Sequence, residues 1–287
     1  MFIEAKDLAN TGDCKKIAMA LSYQELDEVV VSQFLTTGLN QLKDASIELN
    51  IEKFGILPGV SEPDVLQTVQ ALPGIKSVDE TVSDINVRGG TNDQNLILWD
   101  GIKMYQTGHF FGLISAFNPY VTNNVNVIKN GTSAAYGDGL SGTIAMQTSN
   151  KIPLNVRGSA GFNLISGDIF GHIPIQENIA IQISARRSYT DFLNTPTYTT
   201  FSDKAFQDSE VDQESEFYFY DFTAKLIYEL NPYHQLQVSM INMSNNLNYL
   251  ENIEGNSAPN RSNLNQDNSS IGALLKSEWT DGFTTNV

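Results

Sequence analysis

The sequence has little of the chemistry that most enzymes and nucleic-acid-binding proteins need. Its 287 residues include one cysteine, three histidines, and 17 Lys and Arg against 33 Asp and Glu, for a formal net charge of −16. This shortage of cations argues against a nucleic-acid partner, because phosphate binding depends on clustered Lys and Arg. The single Cys14 excludes an internal disulfide and a Cys-based metal motif.

Catalytic and membrane-helix signatures are also missing. The sequence has no Gly-x-Ser-x-Gly, no His-Glu-x-x-His and no phosphate-binding loop, so we expect no enzymatic activity and no cofactor. No apolar run reaches the roughly 18 residues of a helical span. The first residues do not have the build of a signal peptide. We interpret the chain either as a cytoplasmic protein or as a piece of a longer one.

Three glycine-rich blocks stand out between residues 45 and 150. The first joins residues 85–90 (Ile-Asn-Val-Arg-Gly-Gly) to residues 95–101 (Asn-Leu-Ile-Leu-Trp-Asp-Gly), and the others are residues 111–119 and 130–144. In this order and spacing they resemble the plug of TonB-dependent outer-membrane transporters. The alternative is that these glycines serve hairpin turns in another β-rich domain.

The secondary-structure pattern of this region predicts a small α+β unit. Ser61 is the predicted cap of a helix with Pro63 in its first turn, and Pro73-Gly74 ends it. Strands are expected at residues 85–87, 95–99, 124–128 and 143–148. A helix combined with a sheet matches the plug that the resemblance implies.

Strict alternation of apolar and polar residues begins after Lys151. Between residues 218 and 230 every even-numbered residue is apolar or tyrosine, whereas Asp221, Thr223, Lys225 and Glu229 occupy the other face, which we expect to meet water. Short turns alternate with long polar connections at 190–216 and 251–267. This layout is typical of an outer-membrane barrel, although shorter strands of a soluble sandwich also alternate.

About six strands and the start of a seventh follow the plug, whereas a barrel that closes around a plug needs on the order of 22. We predict an α+β plug domain followed by antiparallel transmembrane β-barrel strands that form an incomplete barrel, and we interpret the chain as a fragment. The predicted domains are the tail of a preceding β-rich domain (1–23), a TonB-box and linker segment (24–44), the plug (45–151) and the barrel strands (152–287).

The resemblance implies TonB-coupled active import of a scarce nutrient, such as siderophore-bound iron, a corrinoid or an oligosaccharide, across the bacterial outer membrane. A receptor that binds or senses a ligand without transport is the alternative, and a soluble carbohydrate-binding sandwich is a third. The implied partners are a TonB-type energy-transducing protein in the periplasm, outer-membrane lipid, a small nutrient ligand and a surface lipoprotein. Residues 186–189 (Arg-Arg-Ser-Tyr) resemble a barrel signature of Bacteroidetes relatives.

The resemblance also assigns roles to residues. One extended segment could add to the sheet of a TonB-type partner by main-chain hydrogen bonds. It comprises Asp27, Glu28, Val29, Val30 and Val31. An ordinary buried strand is the alternative for it. The plug signature comprises Arg88, Gly89, Gly90, Asp100, Gly101, Tyr136, Gly137 and Gly142.

Substrate specificity is expected on the plug apices. The candidate substrate-facing residues are Thr91, Asn92, Asp93, Gln94, Tyr105, Gln106, His109 and Phe110, each of which could instead be an ordinary loop residue. Arg88, enclosed in a lumen, would need carboxylate partners. Asp138 stands where many relatives carry a basic residue, which puts a second plug–barrel ion pair in doubt. No metal site is predicted, because the acidic loop 203–216 lacks EF-hand spacing and is more readily explained as a solvated loop than as a calcium site.

Overall fold

The computed structural model describes residues 33–60, 62–129, 134, 136–206, 216–251, 260–280 and 282–287. The predicted TonB-binding residues 27–31 and the predicted cap Ser61 lie outside the described residues. Every structural statement below concerns the described part of the chain, which is built mainly from two seven-stranded sheets.

The first sheet is formed before residue 150 and is here called the plug sheet. The described residues from 33 to 150 are here called the plug. In chain order the elements of this region are β1 (Gln33–Thr36), β2 (Leu39–Gln41), β3 (Ile47–Asn50), α1 (Ile51–Phe54), α2 (Val65–Gln70), β4 (Ile75–Lys76), β5 (Asn86–Val87), a 3-10 turn (Asn92–Gln94), β6 (Asn95–Trp99), β7 (Ile102–Lys103), β8 (Gly108–His109), β9 (Ile114–Ser115), β10 (Thr122–Ile128) and β11 (Gly142–Thr148). The plug sheet has the order β1-β2-β3-β10-β11-β6-β7, with β6 and β11 parallel. Strands β4 and β5, and β8 and β9, form two small separate sheets.

The four strands predicted in this region are present at β5, β6, β10 and β11. The helix was predicted to start too early. Helix α2 begins at Val65, and the carboxylate of Asp64 caps it by accepting from the backbone N–H groups of Leu66 and Gln67, both at 2.9 Å. Pro63 therefore precedes the cap instead of standing in the first turn. An Asp cap satisfies two of the free N–H groups at a helix start, which explains why the helix begins there.

Two strands lie inside the segment that was predicted to be a TonB-box and linker region. Strands β1 and β2 pair antiparallel with each other, and β2 pairs with β3 through Leu39 opposite Leu49. From Gln33 onward the chain therefore belongs to the plug sheet. Because α1 and α2 are short, this region is mainly strand, and its α+β character is weak.

The second sheet, here called the barrel sheet, is an antiparallel meander. Its strands are β12 (Arg157–Phe162), β13 (Ser166–Gln176), β14 (Ile179–Ser188), β15 (Glu216–Asn231), β16 (His234–Glu251), β17 (Asn260–Thr280) and β18 (Phe283–Asn286), each paired with the next. Helix α3 (Pro196–Ala205) lies in the connection between β14 and β15. The described strands form an open sheet and no closed barrel. None of the described helices is long and apolar enough to cross a membrane.

Side chains of β15 alternate as the sequence predicts. Phe222, Leu226 and Leu230 are between 36% and 48% exposed on one face. The other face holds Asp221 and Lys225, each 2% exposed. The expectation that this polar face meets water is wrong in the centre of the strand, because the plug covers it.

The hydrophobic core of the plug continues into the barrel sheet. Leu49, Val69 and Trp99 of the plug are almost fully buried, and they share one cluster with Ile241 and Met243 of β16. A Cβ at Gly272 of β17 would lie 2.8 Å from Cγ1 of Ile102 in β7, so the two sheets also approach closely there. The plug and the barrel sheet therefore pack as one body across their interface.

The outward face of β15 allows a test of membrane insertion. Phe222→Arg in mid-strand should lower the free energy of unfolding of the full-length protein in lipid vesicles by about 2–4 kcal/mol, whereas Leu230→Arg near the strand end should cost about 0–1 kcal/mol. Urea unfolding monitored by tryptophan fluorescence measures both. Thr223 is unsuitable as a control, since it is 6% exposed and its hydroxyl lies 2.6 Å from that of Ser184. Equal costs at 222 and 230 would contradict a membrane-spanning strand.

Candidate functional site

Asp100 is the centre of a buried ion-pair cluster between the plug and the barrel sheet. It begins the two-residue Asp100-Gly101 turn between β6 and β7, where both residues have positive φ, as a type I′ hairpin requires. Its carboxylate accepts from the backbone N–H and the hydroxyl of Thr148, at 2.9 and 2.7 Å. Nζ of Lys225 and the hydroxyl of Ser239 both lie 3.1 Å from the same carboxylate. One side chain thus ties a plug turn to β11, β15 and β16.

Lys225 completes this cluster from the barrel side. Its ammonium also donates to the hydroxyl of Thr148 at 2.9 Å and to Oδ1 of Asn150 at 2.5 Å. Both members of the ion pair are at most 5% exposed. Several hydrogen bonds around each charge are what a buried ion pair needs to offset its desolvation.

A second buried cluster holds the hairpin formed by β8 and β9. Nδ1 of His109 lies 2.7 Å from Oδ1 of Asn245, Nε2 lies 3.3 Å from Oδ2 of Asp221, and the ring stacks on Phe219 at 4.2 Å between centroids. Arg186 donates to the same Asp221 oxygen at 2.8 Å and to the backbone carbonyl of Ser115 at 2.6 Å. Three barrel strands therefore hold both strands of this hairpin.

The environment of His109 favours its neutral form. Burial lowers the pKa of His109, and the nearby Arg186 lowers it further, although Asp221 and Asn245 act in the opposite direction. The Arg186 guanidinium supplies the positive charge that Asp221 needs. Since His109 is fully buried, it serves as an anchor of the hairpin and does not face solvent.

The turn of this hairpin has a strained backbone. Phe110, Phe111 and Gly112 all have positive φ, at 48°, 55° and 81°. Bulky residues rarely adopt this conformation, which costs on the order of 1–3 kcal/mol per residue and concentrates at ligand-binding and active sites. The Gly112 carbonyl accepts from the backbone N–H groups of Val82 and Ser83, at 2.8 and 3.1 Å. The surrounding contacts therefore impose the conformation.

Phe110 anchors the turn in a second apolar core. Its ring lies 4.5 Å from that of Phe217 in β15 and 5.8 Å from that of Tyr198 in α3, measured between centroids. Leu113 and Leu247 belong to the same cluster. Phe111, in contrast, is 51% exposed. The strained turn thus buries the ring of Phe110 and leaves the ring of Phe111 exposed to solvent.

A cleft of about 240 Å³, here called the apex cleft, opens beside this turn. Plug residues 83–84, 92, 105–108 and 110–112 form one wall, and side chains of β15, β16 and β17 form the other. Four of the predicted substrate-facing residues line it: Asn92, Tyr105, Gln106 and Phe110. The apex cleft is therefore the place where the sequence-predicted candidates come together.

The other four candidates lie elsewhere. Thr91 and Asp93 are exposed next to Asn92, and Oε1 of Gln94 accepts from the hydroxyl of Ser141 at 3.0 Å. His109 is buried under the turn and does not line the cleft. No sequence signal could have shown this, because its barrel partners are 112 and 136 residues away in the chain.

Arg88 is exposed among the described strands. It follows β5 with a φ of 51°, and its backbone N–H donates to the carbonyl of Gly74. Its enclosure in a lumen stays a prediction, because the described strands form an open sheet. The buried arginine at the interface is Arg186 of the barrel sheet. Asp138 pairs with Lys103 of the plug at 2.7 Å, while Asp100 provides the plug–barrel ion pair.

The remaining signature residues support the turns around β5 and β11. Gly89 has a φ of 86°, and a Cβ at Gly142 would lie 3.0 Å from the side chain of Val87. Tyr136 is half-buried and Gly137 is exposed. Gly142 allows close packing against Val87, and none of these residues lines either of the two cavities described in this section.

A second, larger cavity of about 560 Å³ lies near the turn between β12 and β13. Glu62, Asp64 and Arg186 line it, and Nδ2 of Asn163 donates to Glu62 at 2.7 Å. Burial raises the pKa of Glu62 and of Asp64. Within the described part of the chain, no group of three or more His, Cys, Asp or Glu residues is arranged to hold a metal ion.

Comparison with known proteins identifies the architecture. Residues 58–144 match the family model described as TonB-dependent Receptor Plug Domain. No curated protein sequence matches the chain. Solved structures share its fold at low identity, so they show the fold alone.

The following three are among the structures with TM-scores of 0.50 or more. A mutant of the ferric enterobactin receptor PfeA from Pseudomonas aeruginosa is 15% identical with a TM-score of 0.52, and the alignment covers 82% of this chain and 38% of the receptor. The copper transporter OprC is 14% identical with a TM-score of 0.55, covering 85% and 45%. The ferric citrate transporter FecA is 11% identical with a TM-score of 0.50, covering 84% and 45%. The chain thus spans less than half the length of each.

The ion-pair cluster allows a stability test. Lys225→Met leaves the Asp100 carboxylate buried without its cation, and we expect a loss of about 3–5 kcal/mol in the free energy of unfolding, towards the lower end because Thr148 and Ser239 still donate. Lys276→Met is the matched control, since its exposed pair with Glu278 should contribute less than about 1 kcal/mol. Denaturant unfolding in detergent compares them. Similar losses in both variants would show that the buried pair does not hold the plug.

Proposed function

We propose that this chain forms the plug and barrel strands of an outer-membrane protein that imports a scarce nutrient with energy supplied by a TonB-type protein. One observation carries the proposal. A folded plug is held by the buried Asp100–Lys225 ion pair on the inner face of a strand sheet whose outer face is apolar. The names of the solved receptors support nutrient import in general, since they mention ferric enterobactin, ferric citrate and copper.

The polar nature of the interface supports movement of the plug. Asp100 and Lys225 are joined by charge and hydrogen bonds, and His109 and Asp221 are joined by a hydrogen bond. When such groups separate in a water-filled lumen, water can replace each partner, which reduces the net cost of opening. The apolar cluster that the plug shares with Ile241 and Met243 of β16 would be exposed on release and adds to the cost of opening.

Residues 27–31 are the proposed site of contact with the TonB-type protein. They lie immediately before Ser32 and the first strand of the plug sheet, so a force applied to them passes directly into β1. An extended segment can pair with the sheet edge of a partner through its backbone. Domain limits of 45–151 for the plug and 152–287 for the barrel strands are part of the proposal. The proposal also includes a Bacteroidetes-type source, a longer parent chain and a surface lipoprotein partner.

Energy coupling can be tested with Val30→Pro. Proline removes a backbone donor that strand addition requires, so uptake of the nutrient by cells should collapse while binding of the ligand to the cell surface persists. Val30→Thr keeps the donor and the β-branched shape and is the control. Loss of binding together with uptake would indicate that the segment is an ordinary structural strand.

A disulfide between the two sheets separates an importer from a passive receptor. Ile102→Cys with Gly272→Cys, in a Cys14→Ser background, joins β7 to β17 at positions whose side-chain atoms would almost touch. Uptake should stop when the bond forms and recover when a reductant is added, because the plug cannot leave the barrel sheet. Each single-cysteine variant controls for the substitutions. Undiminished uptake with the bond verified by mass spectrometry would contradict movement of the plug at this contact. Absence of uptake in both the oxidised and the reduced protein, with ligand binding retained, would favour the non-transport receptor.

A further inference from the structure

The apex cleft carries no positive charge of its own. Among the described side chains that line it, Asp84 and Tyr105 are the only ionisable ones. The ammonium of Lys103 lies 5.0 Å from the centre of the Tyr105 ring, but it is already paired with Asp138 at 2.7 Å. A site for an anionic ligand would present Arg or Lys side chains, because a charged donor binds carboxylate or phosphate most strongly.

The cleft instead offers hydrogen-bond acceptors that need donors. Gln106 is only 7% exposed, and its Nε2 donates to the backbone carbonyl of Gly108 at 3.3 Å, which sets the orientation of the amide. Its Oε1 is buried and has no partner among the described residues. An unsatisfied buried acceptor is unfavourable, so a donor group of a ligand would gain by filling this position.

Asp84 adds a second acceptor on the same wall. Its Oδ1 accepts from Nδ2 of Asn92 at 3.1 Å, and the rest of its carboxylate can accept further donors. A carboxylate beside an amide oxygen suits neighbouring hydroxyl groups, which donate to both. It repels phosphate, carboxylate and catecholate oxygens.

Two exposed aromatic rings border these acceptors. Tyr105 is 82% exposed and Phe111 is 51% exposed, which is unusual for side chains of this size beside a cleft. The strained backbone at Phe110 and Phe111 keeps the second ring outside the core while the first is buried. Flat apolar rings beside precisely oriented polar groups can stack on the C–H face of a pyranose while its hydroxyls are hydrogen-bonded.

We propose that the apex cleft binds one unit of a neutral, hydroxyl-rich ligand, a saccharide, and selects against anionic ferric chelates. This inference rests on the proposed import function and names the substrate class of that site. The wider electrostatics agree with it, since the protein carries a net charge of −16. Such a field slows the approach of an anion and leaves a neutral ligand unaffected.

The test is binding by the full-length protein purified in detergent. An array of neutral oligosaccharides is screened, and the best glycan, ferric citrate and ferric enterobactin are then titrated by calorimetry. We expect at least one neutral glycan to bind and both ferric chelates to fail. Gln106→Leu and Tyr105→Ala should each weaken glycan binding at least tenfold. Tyr233→Ala replaces an exposed tyrosine in a turn outside the cleft and should leave binding unchanged.

Asp84→Asn should change the affinity for a glycan and the affinity for an anion in opposite directions. It removes a negative charge and replaces one acceptor oxygen with a donor, so glycan binding should weaken several-fold, whereas binding of an anion in this cleft would strengthen. Circular dichroism and melting temperature confirm that each variant is folded. Absence of any bound glycan, or a ferric chelate whose affinity falls with Gln106→Leu and rises with Asp84→Asn, would overturn the inference.

Uptake is measured separately in cells, so the two proposals can fail independently. A ferric chelate that binds in the cleft and is imported would leave the import function standing and reject the saccharide. A glycan that binds in the cleft and is never accumulated would leave the saccharide inference standing and reject the import function.

Discussion

The structure depends on the need to pair charged groups that a strand sheet buries on its inner face. Strand β15 turns its apolar side outward, and this forces Asp221 and Lys225 inward, where the plug removes them from water. Each then requires a partner, because an unpaired buried charge is strongly unfavourable. Asp100 meets Lys225 from the plug, and Arg186 meets Asp221 from the neighbouring strand. The Asp100–Lys225 pair, together with the contact between His109 and Asp221, fixes where the plug lies along β15.

Hydrogen bonds then transmit this constraint to the plug apex. Asp221 contacts His109, and Arg186 contacts the carbonyl of Ser115, so both strands of the β8–β9 hairpin are held at their bases. With its base fixed and Phe110 buried, the turn adopts three successive positive φ angles and leaves Phe111 exposed. The shape of the apex cleft is therefore a consequence of charge pairing deeper in the interface.

The sequence predicts the local elements well and the long-range contacts poorly. Strand β6 is predicted to the residue and β15 to its alternating faces, because both signals lie within a single segment. The helix cap was assigned to Ser61 instead of Asp64, since both residues are good caps and only the backbone path selects between them. Arg88 was expected to be enclosed in a lumen, which stays a prediction because the described strands form an open sheet, whereas the burial of Arg186 depends on contacts with the plug that are remote in sequence. Asp100 was recognised only as part of a motif, since Lys225 is far from it in the chain.

The order of strands in the plug sheet makes its two edges respond differently to tension on the chain. β1 is an edge strand, and its first residue, Gln33, is opposite Gln41, the last residue of β2. Tension on the chain before β1 therefore loads one backbone pair at a time and peels the hairpin open, which requires little force. The parallel pair of β6 and β11, next to the Asp100 turn, lies towards the opposite edge of the sheet. Opening of the β1 edge therefore leaves the strands around the Asp100–Lys225 ion pair in place.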